Sequence, residues 1–418
     1  MFGTDRDRRQ YWREAEREPW YCDHPAREHG TPELIVPLQL HGDDVAVRKG
    51  LIGLTALVMS LSSPLASAFH DLLLIISLIL KGVTSDALQI FYKTLAWSFG
   101  VLSTGKWPES DQNGSSWPHG TYRQKLAGSW LAAAHGSGYI AYVTDCLGDW
   151  KFVKEAWLLP QHFNKDACCV HCDASRNPHN ENWIADVRPG AFDRRRRRTA
   201  ADYLATFTTP PPLSTLPGWH LLMLLVDFMH TDHLGCTQWL IGNTLVILCE
   251  SMPQCRGKWE VRMNFNLRIL WREYRRWCLK HGHNKYRAWT VNRLAMQSGQ
   301  DWPNFRSKAH EASLVCRFLC AFVRANRRPG DVMLLQCLHG HTHMNDIMDS
   351  AGTRFTLKQA KSFKLAGYVF LRAWVQLAVQ NAGRNRFQIK PKHHLLEEGL
   401  NLAAMTLRTP PLALALWL

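Results

Sequence analysis

The residues best placed to do chemistry together are three carboxylates far apart in the chain: Asp43, Asp149 and Glu311. Asp43 stands in His41-Gly-Asp-Asp44, Asp149 follows Gly148, and Glu311 closes Lys308-Ala-His-Glu311. Carboxylates so widely separated cannot form a local metal loop, but they can converge from the edge of a shared sheet. Hard cations such as Mg2+ or Mn2+ take oxygen ligands and keep several waters. Two such ions about 3.5–4 Å apart activate a water or hydroxyl nucleophile and stabilise the leaving oxygen of a phosphodiester. Each aspartate also has an ordinary alternative, as a turn residue at Asp43 and as a helix N-cap at Asp149. Asp44 competes with Asp43 for the first position.

A second constellation is Cys169-Val-His-Cys172, which has zinc-ligand spacing but supplies only half a site. Thiolates are soft ligands and select Zn2+ over Mg2+. His230, His233, His162, His171 and His179 are the candidate completions. His230 is preferred because Asp227-Phe-Met-His230 sets two ligand types three residues apart, on one face of a helix. Asp227 then either orients that histidine from behind or joins the acidic site. Two reduced, buried thiols are the plain alternative, and no thioredoxin-like surroundings favour a redox pair. The run His339-Gly-His-Thr-His343 lacks cysteines or carboxylates at a fixed spacing and reads as a loop.

Positioning such residues requires particular elements. Apolar patterns of strand length occupy residues 34–47, 54–61 and 72–80, followed by helical spacing over 86–100 and a polar loop over 103–120. A short strand at 139–143 precedes Asp149, which opens an amphipathic helix through Trp157. Three strands, a helix, a strand and a helix is the order of a ribonuclease-H-like α/β core, a mixed sheet flanked by helices. The chain divides accordingly. Residues 1–31, charged and broken by Pro19 and Pro25, read as a disordered arm; 32–160 form the first part of the core. Residues 161–218 are an insertion with the cysteine pair and an arginine run. Residues 219–400 continue the core, mainly as helices that include 267–280 and 310–324, and 401–418 form a tail.

Composition points to the partner. Fifty Lys+Arg against 35 Asp+Glu give a formal charge of +15 across 418 residues, an imbalance that favours polyanions, nucleic acid ahead of a membrane surface, with a basic soluble protein without a nucleic-acid role as the alternative. Arg194, Arg195, Arg196, Arg197 and Arg198 suit a phosphate-binding loop or a nuclear-localisation signal; a solvated run is the alternative. Arg272, Arg275 and Arg276 interleave with Trp271, Tyr274 and Trp277, which suits backbone contact with stacking, or else a helix that buries its aromatics. The 12 cysteines stand mostly alone in apolar stretches, as in a reduced intracellular protein. The apolar region 51–80 is interrupted by Ser60, Ser62, Ser63, Pro64, His70 and Asp71, so two buried strands are expected and no stable membrane insertion. Residues 1–18 are too charged for a signal peptide.

Taken in order, Gly148-Asp149-Trp150, Cys169-Val-His-Cys172, Asp227-Phe-Met-His230-Thr-Asp-His-Leu-Gly235, Lys308-Ala-His-Glu311 and Pro391-Lys-His-His394 resemble motifs of DDE transposases of eukaryotic cut-and-paste elements. The similarity is greatest to the CACTA and Plavaka type and the related Kyakuja, Dileera and Zisupton groups. It rests on short motifs spread over about residues 34–400. The resemblance implies metal-dependent cleavage and joining of DNA strands in the nucleus. Asp43, Asp149 and Glu311 would be the Mg2+ or Mn2+ carboxylates, and the cysteine pair with His230 would have a structural or metal role. A catalytically inactive, zinc-stabilised DNA-binding protein derived from a transposable element is the alternative, and homo-oligomerisation stays open. The segment before Asp43 is shorter than the DNA-binding region usual in that family.

Overall fold

The apolar runs pair into a four-stranded mixed sheet. A computed structural model of the chain describes residues 3–48, 54–65, 74–80, 84–134, 137–161, 163–253, 256–284, 287–352 and 354–407. Strand β1 (Ile35–Arg48) runs antiparallel to β2 (Leu54–Ser62), with Asp43 opposite Val58, and β2 runs antiparallel to β3 (Leu74–Leu80). Strand β4 (Ile140–Gly148) lies on the other side of β1 and parallel to it, giving the order β3-β2-β1-β4. Parallel neighbours need a crossover, and helix α2 (Ser85–Thr104) provides part of it. Thr84 caps α2 at one end; Gly105 ends it with a φ of +66° where a Cβ would meet the Tyr139 carbonyl. Tyr92, Ala96 and Phe99 of α2 bury against Leu38, Leu40 and Val143 of the sheet.

The last pair in the parallel register is Gly42 opposite Gly148. Helix α3 (Trp150–Ala156) starts immediately afterwards and lays Phe152 across both glycines. A Cβ would come within 2.3 Å of that ring at Gly42 and within 2.4 Å at Gly148. The two missing side chains let α3 fold down at the strand end, which brings the residues following each glycine together.

The amino-terminal segment departs from the expectation of a disordered arm over 1–31. Residues Asp5–Ala15 form helix α1, closed by a Thr4–Asp7 capping box. Its buried residues Arg8, Tyr11, Trp12 and Ala15 recur at helical spacing and share one face, a pattern hidden by the density of charge. Trp12 Nε1 donates to the Ile35 carbonyl at 2.9 Å, and the Tyr11 hydroxyl to Thr144 Oγ1 at 2.9 Å. Trp20 and Ala26 complete this cluster against Ile35, Ile140 and Tyr142.

A π-helical segment, Met229–Cys236, leads into the helical half: α4 (Thr237–Ser251), α5 (Trp259–Lys280), α6 (Ala309–Ala325), α7 (Val332–Ser350), α8 (Leu357–Gln380) and α9 (Pro391–Thr406). Their core holds Leu267, Tyr274, Trp289, Phe318, Phe370 and Trp374. Residues 339–343 therefore lie inside α7 and not in a loop. Gly340 allows α7 to approach α8: a Cβ there would sit 2.8 Å from the Phe370 nitrogen. Residues 408–418 of the expected tail fall outside the described residues, whereas 401–406 belong to α9. Among the described residues no helix is long and apolar enough to cross a membrane.

Candidate metal centre and acidic pocket

The cysteine pair lies in an irregular segment that has its own hydrogen-bond network. Ser175 donates to the Asn182 carbonyl, Ile184 to that of Ser175, and Arg198 to that of His171. These bonds knit residues 171–198 into a knuckle, and Cys168, Cys169, Cys172 and Ile184 are buried together with Leu395 of α9. The His171 backbone N–H points to Cys169 Sγ at 3.3 Å.

Helix α9 supplies the rest. His394 and Glu398, one turn apart, meet the two thiols in a fully buried cluster whose four donor atoms all lie within 4.8 Å of one another. Cys172 Sγ is 3.2 Å from His394 Nε2, Cys169 Sγ is 3.7 Å from Glu398 Oε1, and that carboxylate oxygen is 3.4 Å from His394 Nε2. The opposite face of the imidazole is held by Glu397 Oε2, 3.2 Å from His394 Nδ1. A carboxylate behind a ligating histidine fixes its tautomer and orientation. Hydrogen bonding to Cys169 and burial push the Cys172 thiol up. Burial opposes charge on Glu398, but His394 and Arg197 overcome it and hold the carboxyl well below its usual range. Two adjacent buried thiols, an imidazole nitrogen and a carboxylate can hold a metal ion, and a dication would stabilise the thiolate forms.

His230 does not complete the cysteine pair. It pairs through Nδ1 with Asp227 Oδ2, and Asp227 Oδ1 accepts the Met229 N–H at 2.9 Å. His233 lies beside Asp232, 3.6 Å away; His179 is exposed, and His162 is outside the described residues. The ligand-type residues missed by local spacing, His394 and Glu398, are 222 and 229 positions from their cysteine partners. Their available signal was the His394/Glu398 interval of four on a helical pattern, together with the Pro391-Lys-His-His394 motif.

The arginine run is structural in large part. Arg195 and Glu397 form a pair with each side chain 1% exposed, and Arg195 also donates to the carbonyls of Trp183 and Asp186. Arg197 contacts both oxygens of Glu398, at 2.7 and 2.8 Å. Arg198 Nε donates to the Cys172 carbonyl; Arg194 and Arg196 pair near the surface with Asp186 and Asp202. Arg195 is buried and Arg198 half-buried, whereas Arg194, Arg196 and Arg197 stay exposed, so only part of the run is open to solvent. In α5, Tyr274 is buried and Arg275 lies over Trp271, 4.9 Å from its ring centre; Arg276 pairs with Glu273, and Arg272 is exposed.

A cavity of about 450 Å³ opens next to the metal cluster, lined among others by Asp149, Asp227, His230 and Lys392. Asp149 caps α3, its Oδ1 accepting the Phe152 N–H at 2.6 Å. Asp43, one residue past the Gly42–Gly148 pair, lies in the electrostatic reach of Asp149, Asp227 and His230. Burial raises the Asp43 pKa, His230 opposes that rise, and the two aspartates add to it. Burial disfavours charge on His230, but the Asp227 hydrogen bond and the carboxylates of Asp43 and Asp149 raise its pKa above the ordinary value. Asp44 instead turns to Lys151, 3.4 Å away, which distinguishes the two neighbouring aspartates. Lys392 Nζ donates to the His230 carbonyl at 2.7 Å.

Glu311 follows a different course. Its carboxylate is buried on α6 and paired with Arg293, 2.7 Å from Oε2, where a metal ion was the expected partner. Oε1 is buried with no hydrogen-bond partner. His341, in the middle of α7, is also buried and binds Asp232 at 2.9 Å, with Cys316 Sγ 3.3 Å from its other nitrogen. No protein-family model matches the chain, and no curated protein matches its sequence.

Proposed function

We propose that the chain is a DDE-transposase-like protein acting on phosphodiester bonds of DNA through a divalent cation at Asp43 and Asp149. In the same proposal zinc is the structural ion of Cys169, Cys172, His394 and Glu398, a donor set of the size and softness it takes. One observation carries the reading: the Gly42–Gly148 register sets Asp43, still within β1, next to the end of the parallel strand β4, where Asp149 follows. The β3-β2-β1-β4 order, with β4 parallel to β1, supports a ribonuclease-H-like core. Bound at that edge, Mg2+ or Mn2+ would activate a water or hydroxyl and stabilise the leaving oxygen. Asp149 is oriented by its bond to the Phe152 N–H, and Asp227 holds the His230 imidazole at the cavity wall. Lys392 offers a buried ammonium near the same carboxylates. DNA as partner and a nuclear location belong to this proposal, which does not depend on residues 194–198 as a free basic run.

The second reading is a zinc-stabilised DNA-binding protein that does not cut. It is favoured by the Arg293–Glu311 pair, which occupies the carboxylate expected to complete the triad. Nicking of supercoiled plasmid in Mn2+ separates the two. The wild-type protein is expected to nick, and Asp149→Asn, which keeps an N-cap side chain, to lose nicking with its melting temperature retained. Absence of nicking by folded, zinc-loaded wild type overturns the catalytic reading.

A further inference from the structure

The cavity beside Asp149 has an unusual wall. Trp150 and Phe163 stack with ring centres 5.3 Å apart and planes 16° from parallel, and both line the cavity. His171, between the two cysteines, lines it as well. Trp150 Nε1 and His171 Nδ1 are sealed from solvent and have no hydrogen-bond partner. Lys154 and Lys392 add positive charge to the lining, while Asp149 and Asp227 lie at its acidic side.

Acidic side, aromatic wall and two ammonium groups together match one kind of ligand: a nucleotide unit with its base out of the stack. We propose that this cavity takes an unpaired nucleotide of a DNA strand. The base stacks on the Trp150–Phe163 aromatic wall, and its phosphate faces the lysines. A paired base in a duplex cannot reach such a wall, so the site distinguishes single-stranded ends or flaps from continuous duplex. The inference rests on the DNA reading above and names the strand form recognised. The His171 ring is placed by the knuckle that carries Cys169 and Cys172, and Lys392 by the helix that carries His394. The metal centre is thus the rear support of the nucleotide cavity.

Fluorescence anisotropy of full-length, zinc-loaded protein without Mg2+ or Mn2+ tests this with three labelled DNAs: a blunt duplex, the same duplex with a three-nucleotide overhang, and that overhang made abasic. Stacking of one base contributes enough for about a fivefold or greater preference for the base-bearing overhang over the other two. Phe163→Ala should bring the affinity for the base-bearing overhang down toward that for the abasic one. Equal affinity for abasic and base-bearing overhangs overturns the proposal, and this arm uses only wild-type protein. Plasmid nicking is scored separately. Nicking without an overhang preference sinks the nucleotide site alone; overhang preference without nicking sinks the catalytic reading and leaves the site standing.

Discussion

Replacing Arg195 by Met tests whether the basic run serves the fold or solvent-borne phosphate. The guanidinium is 1% exposed and faces Glu397, also 1% exposed, which in turn holds His394 Nδ1. Removing it leaves a buried carboxylate uncompensated and frees the carbonyls of Trp183 and Asp186. Breaking one side of a buried ion pair costs about 3–5 kcal/mol. With an unfolding entropy of about 2 cal/mol/K per residue, one-step unfolding of a chain this long carries about 0.9 kcal/mol/K, so Tm should fall by about 3–6 °C. Arg196→Met is the internal comparison, because its pair with Asp202 is largely exposed and such pairs contribute about 0–1 kcal/mol. The double variant Arg195→Met/Glu397→Met should recover much of the loss, since an apolar pair of similar volume can replace a buried ionic one. Calorimetry on the three variants, with zinc content measured on each, decides the matter. Equal melting of Arg195→Met and Arg196→Met would refute the structural role assigned to the run.

Two further outcomes follow from the same geometry. Purified protein should carry about one zinc per chain; Cys172→Ser and His394→Ala should lose it on metal analysis, while His230→Ala retains it, and zinc persisting in His394→Ala would remove the assigned ligand set. Stability should also depend on pH through His341. Burial opposes its charge, but Asp232 and Cys316 raise its pKa from 6.5 to about 10. The raised value means that its contribution is full below pH 6.5 and is lost progressively as pH rises to about 10. For Asp232, lowered by His341 against its own burial, the contribution is present above pH 3.8 and is lost as pH falls through the folded value. Urea unfolding from pH 6 to 10 should show stability declining in the wild type and a flatter profile in His341→Gln; identical slopes would exclude this pair as the source.

Local pattern was sufficient wherever one segment settles its own structure. The three apolar runs before residue 81, the Asp149 cap and the helices over 267–280 and 310–324 were legible because period and capping act within a few residues. Even the glycines before Asp43 and Asp149 were visible as neighbours of carboxylates. Their purpose was not, because it depends on Phe152 crossing two strands at once. Charge density concealed α1, whose buried Tyr11, Trp12 and Ala15 pack with residues of β1 and β4. The 339–343 run read as a loop, because the need for Gly340 lies in the close approach of α8. The Cys169–Cys172 spacing identified half a metal site, whereas His394 and Glu398 reach it only when α9 packs on the knuckle. The same packing turns Arg195 and Arg197 inward to Glu397 and Glu398. Sequence determined the elements and which residue types were available to them; tertiary structure decided the pairings, because burial and charge compensation are set between segments that local spacing cannot relate.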